Sequence, residues 1–246
     1  MTALRRLTTT EARLFSREPV DWGLALVFPS LLLLILGVIP AFRSPEEGID
    51  GVRMIEFYPP VMIAIGITMI ALVTLPQRLA VYREKGVLRR MRITPVGPRQ
   101  MLGAQLALSM VLSLVTTVLL LVVARVVFSV ELPQQPLALL LGFTLTAAAM
   151  LAMGLLVASL ARTGTSAQAI GTVLLFPLMF VAGMWIPRAS MNDVLLRISD
   201  LSPLGAGVQT LQDAATGQWP QPLHLVVLLA WTVVCGGLAA RYFRWE

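Results

Sequence analysis

Along this chain, long runs without charge alternate with short stretches that hold nearly all the ionisable residues. A helix needs about 20 residues, at 1.5 Å each, to cross a hydrocarbon core of about 30 Å. Six windows meet that length, at about residues 20–42, 57–77, 100–128, 134–161, 166–187 and 222–242. The pattern predicts an all-α integral membrane protein with six transmembrane helices in one domain over residues 1–246. The fourth and fifth are joined by a tight turn at Arg162-Thr163-Gly164-Thr165. Before the first window, Leu4, Leu7, Leu14 and Phe15 share a helical face, with Arg5, Arg6, Arg13 and Arg17 interspersed. This is the pattern of an N-terminal amphipathic helix on a membrane surface. Arg5-Arg6 is followed by polar Thr8–Glu11, and no small-residue cleavage site closes the apolar run, so the segment is expected to be retained.

Between the fifth and sixth windows, residues 188–221 carry helix punctuation of their own. Ser190 with Asp193 fits a capping box, followed by Val194, Leu195, Ile198 and Leu201 on one face. Ser202-Pro203 opens a second short helix with Leu204, Val208 and Leu211 aligned, and Gly217 closes it. Two short helices are therefore expected to cap one end of the bundle.

Composition agrees: 57% of residues are apolar and 13% charged, too little polar surface for a soluble domain. The distribution of Arg and Lys sets the orientation. With both termini inside, the inner segments hold fourteen basic residues and the outer segments four. The outer segments hold most of the acids. Both termini are expected in the cytoplasm, with the short-helix cap outside. Cys235 stands alone, so no intrachain disulfide can form.

Half of the inner charge lies in an elbow, residues 78–99, between the second and third windows. Arg83, Glu84, Lys85, Gly86, Leu88, Arg89 and Arg90 lie in it, and Thr94-Pro95-Val96-Gly97-Pro98 ends any helix there. Two readings fit. The elbow is a headgroup-binding loop that obeys the positive-inside rule, or it is a docking element for a cytosolic partner.

Chemistry is sparse elsewhere. Arg125, near the outer end of the third window, can snorkel to the headgroups or serve a function. No acid or histidine sits mid-span as an ion-coupled carrier would require. There is no nucleophile–base set and no His-Glu-x-x-His, and His224 lies at the outer end of the sixth window without an evident partner. No G-x-x-x-x-G-K-[ST] loop occurs, so the chain has no such route to ATP. Ser109, Ser113, Thr116 and Thr117 form one mildly polar stripe in the third window. It is either a packing seam or part of a substrate pathway.

Two stretches carry a family resemblance. Arg83-Glu84-Lys85-Gly86, Leu88 and Thr94-Pro95-Val96 resemble the acidic-basic-Gly, Leu and Thr-Pro-Val pattern that follows the second span of ABC type-2 transporter permeases. Met153–Arg162, then Pro177–Pro187 with Gly183 and Pro187, resemble that family's small-residue span and its apolar span ending near Gly-x-x-x-Pro. Ser202-Pro203-Leu204 is similar to its Pro-centred segment before the last span. The chain resembles the daunorubicin-resistance-type branch, bacterial multidrug exporter permeases. Acids common in relatives around Thr163–Gln168 are absent.

The resemblance implies a plasma-membrane permease subunit that moves a hydrophobic or amphipathic substrate, drug or lipid-like, outward. It implies a pair of permeases, identical or paralogous, and separate cytosolic ABC ATPase subunits that bind the ATP. The chain itself would be no enzyme and carry no cofactor, metal or nucleic-acid partner. The elbow would be a coupling helix contacting the ATPase through Arg83, Glu84, Lys85, Gly86, Leu88, Arg89 and Arg90. The rival reading is a non-transporting membrane scaffold that recruits a cytosolic partner through the same basic loop. A lipid-modifying enzyme is a third, disfavoured by the missing catalytic groups.

Overall fold

The structure is a computed structural model that describes residues 19–43, 53–86, 98–185 and 188–242. The amphipathic N-terminal segment, Leu88, Arg89 and Arg90 lie outside the described residues. Among the described residues the fold is helical throughout, with no strand. The helices are α1 (Pro19–Val38), α2 (Pro40–Arg43), α3 (Tyr58–Met69), α4 (Leu75–Glu84), α5 (Pro98–Phe128), α6 (Pro136–Leu160), α7 (Gly164–Val181), α8 (Asp193–Leu201), α9 (Pro203–Ala215) and α10 (Pro222–Tyr242). A π-helical turn, Ile70–Thr74, fuses α3 and α4 into one rod. Five helical segments are long and apolar enough to cross a membrane: Met54–Glu84, Gln100–Phe128, Pro136–Leu160, Gly164–Val181 and Pro222–Tyr242. Leu26–Val38 of α1 is a shorter apolar helix.

The α3–α4 rod is the centre of the bundle. Of its apolar window 89% is buried, against 33% in α5 and α7 and 28% in α10. Helices α1 and α5 pack on α3, α7 lies along α4 and the π turn, and α6 packs on the π turn from another side. Helix α10 lies along α6, and α9 fills the end between α6 and α10. An all-round apolar sequence suits such a central position, because no face meets water. Outward faces of α5 and α7 expose Val111, Val118, Val122, Val173 and Phe176, as lipid-facing surfaces do.

The π turn has a local cause. Pro76 has no N–H, so an α-helix running through it would leave a carbonyl without a donor. The Leu75 N–H reaches instead to the Ile70 carbonyl, one residue further back than in an α-helix. The carbonyl of Ala71 then has no backbone donor at i+4, where Leu75 is engaged elsewhere, or at i+5, where Pro76 stands. Glycines of neighbouring helices close on this turn. A Cβ at Gly154 of α6 would overlap the Ala71 carbonyl oxygen, and one at Gly171 of α7 the Leu72 carbonyl oxygen. Glycine is thus the residue that lets both helices approach the widened turn.

Several boundaries differ from those expected. The second window continues as helix to Glu84, seven residues past Gln77, because the π turn accommodates Pro76; Arg78–Glu84 therefore belong to the central rod. The fifth begins at Gly164 and ends at Val181, six residues before Pro187, with Gly183 at φ 87 just beyond. The first breaks before Pro40, which starts the separate turn α2. Helix α8 is capped by Asn192, whose side chain accepts from the Leu195 N–H at 2.9 Å, rather than by Ser190, which lies in a preceding 3-10 turn. Ser202 caps α9 as the sequence suggests, accepting from the Gly205 N–H at 3.0 Å. Gly217, at φ 82, follows its end.

Candidate functional site

The end of the bundle where the elbow begins is built on α4. Its last turn points two charges at the turn between α6 and α7. The Arg83 guanidinium donates to the carbonyl of Ala161, the residue that caps the C-terminus of α6. The Glu84 carboxylate (Oε2) accepts from the backbone N–H of Gly164, the first residue of α7, at 3.3 Å. A cation meets a helix C-terminus and an anion meets a helix N-terminus, the favourable sense for both helix dipoles. The receiving turn is itself capped. Thr163 and Ser166 form a reciprocal capping box, with the Ser166 N–H on Thr163 Oγ1 at 3.2 Å and the Thr163 N–H on Ser166 Oγ at 3.0 Å.

Beside this junction lies an open groove of about 610 Å³, bordered by Arg83, Glu84, Leu160, Arg162 and Tyr242. Lys85 follows as an exposed C-cap and Gly86 turns the chain at φ 68, in the left-handed region glycine favours. Among the expected partner contacts, Arg83, Glu84, Lys85 and Gly86 are therefore placed together, with the first two bonded inside the chain.

The hydroxyl stripe is buried. Ser109, Ser113, Thr116 and Thr117 are each at most 5% exposed, on the side of α5 that faces the core. Thr116 and Thr117 donate to carbonyls one turn back, Leu112 at 2.9 Å and Ser113 at 2.8 Å. Thr116 fills the space that a side chain at Gly66 would need, and Pro29 of α1 stands behind it. Ser113 Oγ is buried without a hydrogen-bond partner. Arg125 stays at the end of α5, its guanidinium 3.5 Å from the Val130 carbonyl oxygen.

The opposite end carries a polar cluster with no clear signal in the sequence. Arg188 donates to Ser199 Oγ and to Asp200 Oδ1, both at 2.6 Å. His224 does have a partner, contrary to expectation: its Nε2 lies 3.2 Å from Asp200 Oδ1. Asp213 accepts from the Gln221 N–H at 3.2 Å. Burial pushes the Asp213 carboxyl above the ordinary carboxylate range, opposed by that hydrogen bond and by the nearby His224 and Arg188 side chains. Trp231 of α10 donates to the Leu201 carbonyl at 2.9 Å, tying α8 to the last long helix.

Two cavities of about 310 and 320 Å³ flank this cap. Both touch Phe57, Gln212 and Thr216, and apolar residues dominate their walls. Glu131 borders the first, and Tyr58, Arg188 and Asp213 border the second. Among the described residues no group of three His, Cys, Asp or Glu side chains could hold a metal.

A membrane-spanning bundle with a basic elbow and no phosphate loop is a shape shared by unrelated proteins, and sequence comparison separates them. Residues 2–215 match the ABC-2 type transporter family. The chain belongs to that family. No curated protein sequence matches it at a significant level. As an ABC-2 membrane domain it is the permease component of an ABC transporter, a multi-pass membrane protein of a family whose members are normally non-catalytic and associate with an ABC ATPase. In this ABC-2 permease the match takes in the central rod, the elbow, the α6–α7 turn and both short helices of the cap. It ends at the residue that closes α9.

Proposed function

We propose that this permease works in a bacterial plasma membrane as the transmembrane half of an ATP-driven exporter. A hydrophobic or amphipathic substrate, drug or lipid-like, moves outward with energy from separate cytosolic ATPase subunits. The carrying observation is the elbow's attachment. It continues directly from the most buried rod of the bundle, so displacing it moves the end of that rod.

In this reading α1 completes a set of six spans, both termini are cytoplasmic, and the α8–α9 cap is external. A second permease, identical or paralogous, completes the pathway. Lys85 and Gly86, with Leu88, Arg89 and Arg90 beyond them, meet the ATPase, while the buried Ser109, Ser113, Thr116 and Thr117 pack α5 on α1 and α3. The largely apolar cavities beside the cap suit an amphipathic passenger better than a hydrated ion, which would lose its shell without compensating ligands.

The test is reconstitution with the cognate ATPase in proteoliposomes. Vanadate-sensitive hydrolysis that depends on the permease, accompanied by extrusion of a fluorescent amphiphile, is expected. Stable recruitment of a cytosolic protein with no ATP-dependent movement of any amphiphile would favour the scaffold reading.

A further inference from the structure

We propose that Arg83 and Glu84 form a clasp that passes displacement of the elbow to α7, so that they are positioning residues rather than contacts for the ATPase. This deepens the exporter reading and rests on it. Three observations carry it. Both side chains turn back toward the bundle and bond backbone atoms of the α6–α7 turn, Arg83 to Ala161 and Glu84 to Gly164. Each charge has the sign that its helix end prefers, so the two bonds act on two helices at once. The seam continues below the clasp. Gly164 packs on Val81, and Gly171 closes on the Leu72 carbonyl, so α7 follows the rod from α4 into the π turn.

The sequence of events is mechanical. Displacing the elbow moves the C-terminal turn of α4. The clasp pulls the capped start of α7 with it, because Thr163 and Ser166 hold that start as a closed box. The π turn is where the rod can yield, having already given up regular α-helical bonding. The lower rod, the turn and α7 therefore move as one body. Without the clasp the elbow would move and α7 would lag.

Glu84→Ala and Glu84→Gln separate this role from an ion pair with the ATPase. The amide of Gln keeps an oxygen acceptor for the Gly164 N–H but has no charge to offer a partner cation. In the permease alone, in lipid nanodiscs, hydrogen exchange at Gly164–Ser166 should rise about fivefold for Glu84→Ala, the size expected for losing a helix cap, and stay near wild type for Glu84→Gln.

In the complex with the ATPase, an environment-sensitive fluorophore on Gln168→Cys, in a Cys235→Ala background, reports movement at the start of α7 on adding ATP and vanadate. Glu84→Ala should keep ATPase binding and hydrolysis but lose most of that signal, and Glu84→Gln should restore it. Arg83→Ala should also reduce the signal.

Loss of ATPase co-purification in both Glu84 variants would overturn the proposal and make Glu84 a partner contact. Unchanged exchange, or an unchanged fluorophore signal, in Glu84→Ala would overturn it too. If the wild-type chain forms no complex with the ATPase, the exporter reading falls and the transmission role with it. The exchange arm would still report whether the Glu84 bond to Gly164 exists.

Discussion

Gly154 of α6 sits against the carbonyl oxygen of Ala71, which finds a backbone donor neither in Leu75, bonded to Ile70, nor in Pro76, which has no N–H. A methyl group there would meet backbone, which cannot swing aside as a side chain can. Gly154→Ala should therefore destabilise the bundle by about 1–3 kcal/mol, the usual cost of overpacking, although alanine is the better helix former by up to about 1 kcal/mol. Gly237→Ala is the control. A Cβ there has open space, so the same exchange in α10 should be neutral or slightly stabilising. Thermal unfolding of the two variants in one detergent gives the comparison. Equal midpoints would mean that α6 does not approach the π turn this closely.

Topology is checked by labelling. Lys85→Cys and Ser190→Cys are exposed at opposite ends of the bundle. In a Cys235→Ala background, Ser190→Cys should react with a membrane-impermeant maleimide in intact cells. Lys85→Cys should react only after permeabilisation. The reverse pattern would turn the protein over in the membrane and put the elbow outside.

Arg188 joins the loop after α7 to the cap through Ser199 and Asp200. Arg188→Ala leaves Asp200 with His224 alone among the partners described. Loss of hydrogen bonds to a charged group costs about 1.5–3 kcal/mol. Faster proteolysis between α8 and α9, with the long helices still protected, is the expected readout. A protease pattern matching wild type would show that Arg188 does not hold the cap.

The Asp213 carboxyl is raised above its ordinary value by burial. A carboxyl with a raised folded pKa favours the folded cap while it is protonated. That contribution is complete below the unfolded value and is lost as pH rises through the folded one. The cap should therefore loosen over the pH range just above the ordinary carboxylate value. Asp213→Asn keeps an acceptor for the Gln221 N–H and has no charge to desolvate, so it should flatten this dependence. Exchange of cap amides across a pH series, corrected for intrinsic rates, measures it. An identical slope in wild type and Asp213→Asn would assign the effect to another group.

The class of the protein and most of its helices are legible in the chain's apolar pattern. Charge-free windows near the length of a hydrocarbon core leave the backbone little choice but helix, so α5, α6 and α10 fall within about two residues of their expected starts. Local chemistry with a fixed offset was legible as well: Ser202-Pro203 opens α9, and Gly217 follows its close. The Arg83-Glu84-Lys85-Gly86 pattern marked the elbow. What those residues touch was not legible. Glu84 and Gly164 are 80 positions apart, and the bond exists only because α4 and α7 pack side by side.

Pro76 alone signals the end of a helix, yet the rod passes through it as a π turn, with Gly154 and Gly171 of neighbouring helices closing on it. His224 gained a partner for the same reason, since α8 folds back onto α10 and brings Asp200 within 3.2 Å. The hydroxyl stripe shows the limit most plainly. Spacing put Ser109, Ser113, Thr116 and Thr117 on one face, but spacing along one helix carries no information about what lies across from it. Tertiary packing set α1 and α3 against that face, because Gly66 leaves room there for Thr116.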